Sequence, residues 1–309
     1  MSSIARSALK IGPGKITAGG HTYYMKSAAA IPIEMDRAAL ATDAHGTLDY
    51  RVQDITGRLS VTPDGAWTST ARAGLWPYAN TRPGASLGAS NPTAVVACFN
   101  GEIYTAQCAI LTKMPNLFLG ARETIIGEAE YTLIRGDNKN WTEADSLLAL
   151  TSGAYTDSAM TIASLKTQPY IGALAAVTGW TAVESEEGWS VDFGLSTARK
   201  GSDSYGTLDI FFQDLTATIT CVPVNVTPAD ILALFQGTAG LTRGASAQAL
   251  GAAFTLTGAD ASTIITFPSA KVVKGGYVFG SNRYRQDAIT IVATRTITSG
   301  APQALFTLA

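Results

Sequence analysis

The ten residues HGTLDYRVQD, starting at His45, return almost unchanged as YGTLDIFFQD, starting at Tyr205. Gly46 and Gly206 stand 160 positions apart, and the same spacing keeps producing matches far outside these words. Ile11-Gly12 meets Ile171-Gly172, Gly19 meets Gly179, Gly46-Thr47-Leu48-Asp49 meets Gly206-Thr207-Leu208-Asp209, and Gln53-Asp54 meets Gln213-Asp214. Further on, Thr56 pairs with Thr216, Pro63 with Pro223, Gly120 with Gly280 and Arg135 with Arg295. Solenoid units repeat every ~20–50 residues, so a period this long implies a duplicated domain. The length of 309 residues exceeds what one core usually fills, whereas two domains of about 150 residues are near the common size. The expected division is residues 1–155 and 156–309, with the joint between Thr151 and Pro169.

Each copy reads as β structure. Ile289, Ile291, Ala293 and Ile297 alternate with Thr290, Thr294 and Thr296, and Ala129, Tyr131 and Leu133 repeat the pattern in the first copy. Arg135 and Arg295 fall where the alternation points them inward or into an interface, so an ion pair at a domain or subunit contact is expected. The repeated word contains a change of phase: Leu48, Tyr50 and Val52 share one face, but Ile55, Leu59 and Val61 need the opposite parity. Leu208, Ile210 and Phe212, followed by Leu215, Ile219 and Cys221, slip at the same place. A one-residue slip would turn the apolar set to solvent, so a β-bulge or tight bend is predicted at Gln53-Asp54 and Gln213-Asp214, with Asp bonding its own backbone. Asp49 and Asp209 precede it in the same strands.

About one helix per domain is expected. In NVTPADILALFQG, Thr227 is the N-cap, Pro228 the first helical position, and Gly237 follows the end. In the first copy TSTARAGLW offers Ala71, Leu75 and Trp76 as the apolar face, although Gly74 weakens it. Asn100-Gly101 signals a hairpin. The stretch from Asn80 to Pro92, with Asn80, Arg82 and Asn91, reads as a long exposed loop, a place for a contact with a partner.

Residues that carry chemistry are scarce. The histidines, His21 and His45, face Thr181 and Tyr205 in the other copy, so neither a triad nor a histidine metal site recurs. GPGKIT lacks the Ser or Thr that a phosphate loop needs after Lys15. Asp49 with Asp54, or Asp209 with Asp214, could pose as an acid–base pair, but strand and bend positions speak against it. Tyr23, Tyr24, Arg283, Tyr284 and Arg285 could stack bases, yet no such cluster recurs, and exposed-strand or subunit contacts are the simpler expectation. Cys98, Cys108 and Cys221 lack metal or disulfide spacing and read as small apolar residues. No enzyme, cofactor or metal site is expected. A net charge of −2 argues against gripping nucleic acid by neutralising phosphates. No apolar run approaches the ~20 residues of a membrane helix or a signal peptide, which fits a cytosolic setting without membrane insertion.

A duplicated, nearly neutral β protein without chemistry suggests a part that assembles with itself. The strand–bend–strand–helix order around GTLDYRVQDITGRLSVTP and GTLDIFFQDLTATITCVP, with the closing GADASTIITFPSAKVVKGGYVFGSNRYRQDAITIVATR, resembles the major tail (tail tube) proteins of long-tailed bacteriophages. The resemblance implies tandem β-sandwich or β-barrel-like domains, each with a flanking helix, whose strands join neighbours into a barrel around a channel. It implies stacked rings through which the genome passes in a virion tail assembled in the host cytoplasm. The lumen would hold tape-measure protein and DNA without sequence-specific binding, and other tail proteins would meet the tube ends. Most members carry one tube domain and form hexameric rings; with two, three chains make a pseudo-sixfold ring. The repeated Gly46, Asp49, Gln53, Asp54 and Arg135, with Gly206, Asp209, Gln213, Asp214 and Arg295, would then serve folding or assembly. Another ring-forming virion component (distal tail, terminator or capsid decoration) or a carbohydrate-binding β-sandwich are the alternatives.

Overall fold

The computed structural model describes residues 14–24, 30–63, 67–89, 92–98, 101–120, 124–135, 146–154, 174–177, 180–202, 206–224, 227, 252–258, 263–279, 284–298 and 301–309. These are mainly β, as the alternation requires. In the first half, one antiparallel sheet runs in the order Ala149–Ser152, Glu102–Ala106, Ala94–Cys98, Gly14–Ala18, His21–Tyr24. A second runs Ile33–Thr42, Gly46–Val61, Ala129–Ile134, Cys108–Lys113.

The same order returns 160 residues later. Trp180–Val183, Leu174–Val177 and Ala252–Thr257 stand where His21–Tyr24, Gly14–Ala18 and Ala94–Cys98 stood, and Trp189–Ser202, Gly206–Cys221 and Ile289–Ala293 repeat the second sheet. One element differs. The single strand Thr263–Lys274 takes the place of both Glu102–Ala106 and Cys108–Lys113, fusing the two sheets into one of ten strands. The first half interrupts that path at Gln107, which is exposed, while its counterpart Phe267 is buried against Phe254 and Phe306.

The two halves share a core. Rings run from Trp67 to Trp76 at 5.7 Å, from Trp76 to Phe193 at 6.4 Å and from Phe193 to Phe306 at 4.9 Å, crossing from the first half into the second. Each large side chain taken from water contributes roughly 1.5–3 kcal/mol, so this chain of rings resists separation of the halves. Trp76 donates its indole N–H to the carbonyl of Pro115 at 2.9 Å, which satisfies the polar edge of a buried ring. The hairpin Leu117–Leu119/Thr124–Ile126 belongs to the first half by sequence but pairs with Trp189–Val191 of the second.

The helix expected in TSTARAGLW spans Ser69–Leu75, with Thr68 as N-cap accepting from the Ala71 N–H at 3.2 Å. Ala71, Leu75 and Trp76 are buried as the apolar face requires. Gly74 stands inside the helix because a Cβ there would strike the Tyr23 hydroxyl, so close packing outweighs its poor propensity. The second helix expected from Pro228 onward lies outside the described residues. Gly101 turns the predicted hairpin with φ +84°.

Three expectations change. Ile297 does not continue the face of Ile289, Ile291 and Ala293; it begins a separate short strand and is exposed. Tyr23 and Tyr24 are buried rather than presented to a partner, since the two-stranded Gly14–Tyr24 ribbon folds onto the helix. The stretch after Asn80 is not a free loop: Leu87 and Gly88 are buried against the second half.

Candidate functional site

The repeated word folds into two long hairpins, Ile33–Thr42/Gly46–Val61 and Trp189–Ser202/Gly206–Cys221. The predicted bulge occurs in both. Asp36 pairs with Asp54 and Arg37 with Val52, which leaves Gln53 as the extra residue; Ser196 pairs with Asp214 and Thr197 with Phe212, which leaves Gln213. A second bulge, which the alternation did not announce, leaves out Leu48 between Thr47 and Asp49, and Leu208 between Thr207 and Asp209. Every bulge is followed by an aspartate that accepts from the next backbone N–H. Asp49 takes Tyr50 at 2.7 Å, Asp54 takes Ile55 at 2.8 Å, Asp209 takes Ile210 at 2.7 Å and Asp214 takes Leu215 at 2.8 Å. The bulge displaces one backbone donor from the ladder and the carboxylate replaces its partner. Gly46 and Gly206, with φ of +67° and +70°, begin both words in the left-handed region.

With the phase restored, the apolar residues lie on one face. In the second hairpin Ile210, Phe212, Leu215, Ala217 and Ile219 are all buried. In the first hairpin Leu59 and Val61 are buried, but the distal half is not: Leu48 is 63% exposed, Tyr50 48% and Val52 49%. Ile33, Met35 and Leu40 on the partner strand are exposed too. Arg37 lies 4.2 Å from the Tyr50 ring centroid and covers part of that face.

The difference comes from what each hairpin has for a neighbour. A strap from the first half, running from Gly84 to Leu87, lies along the outer edge of Gly206–Cys221. Gly84 donates to the Phe212 carbonyl at 2.8 Å, Phe212 to Ala85 at 2.9 Å and Leu87 to Ile210 at 2.9 Å, with Ser86 bridging Phe211. The Gly88 N–H reaches the Asp209 carboxylate at 3.2 Å. Tyr78 packs on Phe212 at 6.3 Å, and its hydroxyl pKa is pushed up by burial, with Tyr131 adding to the shift. The corresponding edge of Gly46–Val61 meets Ala129–Ile134 only from Gly57 onward; ahead of it no strand among the described residues pairs with that edge.

Asp54 has a second role. Its carboxylate accepts from the Thr207 N–H at 3.0 Å and from the Thr207 hydroxyl at 2.6 Å, clasping the start of the second word. The carboxylate sits where a Cβ of residue 206 would be, so Gly206 is required by contact as well as by φ. Arg295 does reach across the halves: it donates to the Thr81 carbonyl at 2.7 Å and lies 5.5 Å from the Phe212 ring centroid. Burial lowers its pKa, and Asp214 opposes that shift. Arg135, its counterpart, is half-buried at the end of Ala129–Ile134. Asn80 and Arg82 are exposed beside the strap, and Asn91 lies outside the described residues. His45 is exposed in a turn and bonds Thr42, while His21 bonds Thr70. Cys108 and Cys221 are buried and Cys98 half-buried. Among the described residues no three His, Cys, Asp or Glu side chains gather as metal ligands, and no helix is long and apolar enough to cross a membrane.

Sequence reasoning did not identify Tyr78, Gly84, Ala85, Leu87 or Thr207 as contact residues. One signal was present: Gly84-Ala85-Ser86 returns as Gly244-Ala245-Ser246 at the same spacing. No protein-family model matches the chain, and neither does any curated protein.

Proposed function

We propose that this protein assembles with itself into stacked rings and serves as the tail tube of a long-tailed bacteriophage virion. One observation carries the reading: the same bulged hairpin occurs twice, and one copy is sealed by a neighbouring half while the other leaves its apolar face in solvent. An apolar sheet face beside an open strand edge marks a contact surface. A duplicated fold with one satisfied and one unsatisfied copy of the same surface fits a subunit that repeats its internal contact from chain to chain. Three chains then place six similar units around a pseudo-sixfold ring, and rings stack into a conduit. Tape-measure protein and genomic DNA are the partners of the lumen, other tail proteins those of the tube ends. A net charge of −2 suits a channel along which DNA slides, because a basic lumen would hold phosphates.

Negative-stain electron microscopy over a concentration series tests this. Long hollow tubes with a regular axial repeat are expected. Isolated rings that never stack would move the assignment to a terminator or distal ring component, and monomers at every concentration would overturn self-assembly.

A further inference from the structure

A groove of about 380 Å³ runs between the helix Ser69–Leu75 and the last strand, Thr307–Leu308. One wall carries Arg72, Ala73 and Trp76, the other Phe306 and Leu308. The volume is near the lower end of the ~300–1,000 Å³ that small-molecule sites span. Both walls are fixed. Leu305 donates to the Ala79 carbonyl at 2.8 Å and Ala309 to the Ile264 carbonyl at 3.0 Å, while the Phe306 ring packs 4.9 Å from Phe193 and 6.1 Å from Phe267. The Trp76 N–H is already spent on the Pro115 carbonyl, so its ring offers the groove an apolar surface.

Arg72 is the one charged side chain of the lining. It donates to the Trp67 carbonyl at 2.9 Å and lies 5.6 Å from a Trp67 ring centroid, which holds the guanidinium in place and occupies one of its five N–H donors. Burial lowers its pKa, and among the described residues no carboxylate opposes that shift, whereas Asp214 opposes it for Arg295. A cation drawn partly out of water is stabilised by an anion that reaches it.

We propose that this groove binds a carboxylic acid with a short apolar body, the carboxylate on Arg72 and the hydrocarbon on Trp76, Phe306 and Leu308. A guanidinium fork matches the two oxygens of a carboxylate. A sugar or a phosphate ester would set its other polar groups against apolar walls, at a cost in desolvation. The acid is a free small molecule or the C-terminal residue of a polypeptide, and the recognised group is the same in both. A larger groove of about 660 Å³ between the two hairpins sets Asp36 and Asp54 beside Arg51 and disfavours an anion, so acid binding reports the smaller groove. The site is independent of self-assembly, and a failure to form tubes leaves it untouched.

Calorimetric titration of the dilute full chain with phenylacetate, N-acetylphenylalanine and the uncharged 2-phenylethanol tests the site. Both acids should bind about tenfold or more tighter than the alcohol. Arg72→Met keeps an apolar stem without the charge and should bring the acids down to the level of the alcohol. Because Arg72 also holds the Trp67 carbonyl, a second variant guards against a loss of structure: Ala73→Leu keeps the charge, fills the groove and should weaken both acids while the urea midpoint stays at the wild-type value. N-acetylphenylalanine binding tighter than phenylacetate makes the acid a chain end, and the reverse order makes it a free acid; either order supports the site. No binding of either acid, acids no tighter than the alcohol, or acid binding unchanged in either folded variant would overturn it.

Discussion

The two hairpins have second strands of 16 residues each, the same two bulges and the same pair of bulge aspartates, yet one is core and the other is largely surface. Ile210 and Phe212 are each 1% exposed, while Tyr50 and Val52 at the matching positions are about half exposed. Local sequence therefore decides the shape of the hairpin, and the neighbour decides whether its face is buried. The first half covers the second half within the chain; among the described residues no strand pairs with the distal edge of the first hairpin.

Substitutions at matching positions can break this comparison. The largest difference is expected for Phe212→Ala against Val52→Ala. Removing a buried phenylalanine that packs on Tyr78 and under Arg295 should cost ~3–5 kcal/mol, read as a lower urea midpoint in dilute solution. Val52→Ala on the open face should stay within about 0.5 kcal/mol under the same conditions. An equal loss at both positions would mean that the first hairpin is already covered in the isolated chain.

Glycine at the start of each word gives the next contrast. Alanine at either position meets a left-handed backbone, a penalty of ~1–2 kcal/mol. Around Gly46 a Cβ meets nothing within 4 Å, whereas at Gly206 it collides with the Asp54 carboxylate. Gly206→Ala should therefore also lose the clasp on Thr207 and exceed Gly46→Ala by roughly 1–3 kcal/mol in thermal unfolding. Equal penalties would show that the clasp adds nothing beyond the backbone term.

These sites differ in how visible they were in the sequence. The bulge at Gln53 and Gln213 could be read because a period-2 pattern changes phase there in both copies, and a chain that buries one face must absorb the slip. The bulge at Leu48 and Leu208 could not, because the pattern ahead of it is too short to establish a phase. The helix Ser69–Leu75 was legible from its apolar face, and its Gly74 became intelligible only beside Tyr23. The strap was hidden for a different reason. Gly84-Ala85-Ser86 binds an edge through backbone groups, which every sequence carries, so no side-chain pattern announces it; only the echo at Gly244-Ala245-Ser246 points to it. Arg295 was placed at an interface correctly by parity, but its partner, a carbonyl at Thr81, lies 214 residues away, and nothing local encodes such a meeting.

The smallest effect is the most discriminating. Asp54→Asn exchanges one carboxylate oxygen for an amide donor, so the side chain must give up either the Ile55 N–H or the two groups of Thr207; ~1–3 kcal/mol of stability should go in dilute solution. Asp214→Asn keeps an oxygen for the Leu215 N–H, its bond at 2.8 Å, and should cost under about 1 kcal/mol in the same experiment. At assembling concentration the ranking changes if Asp214 clasps Thr47 of the next chain. Asp214→Asn should then raise the concentration at which tubes appear, while Asp54→Asn, whose clasp is internal, lowers the melting temperature of dilute and assembled protein alike. Scattering against concentration, beside calorimetry of the dilute chain, reads the two separately. If Asp214→Asn leaves assembly untouched, the two aspartates are equivalent only as supports of their own bulges, and the clasp on Thr207 is a device of the single chain.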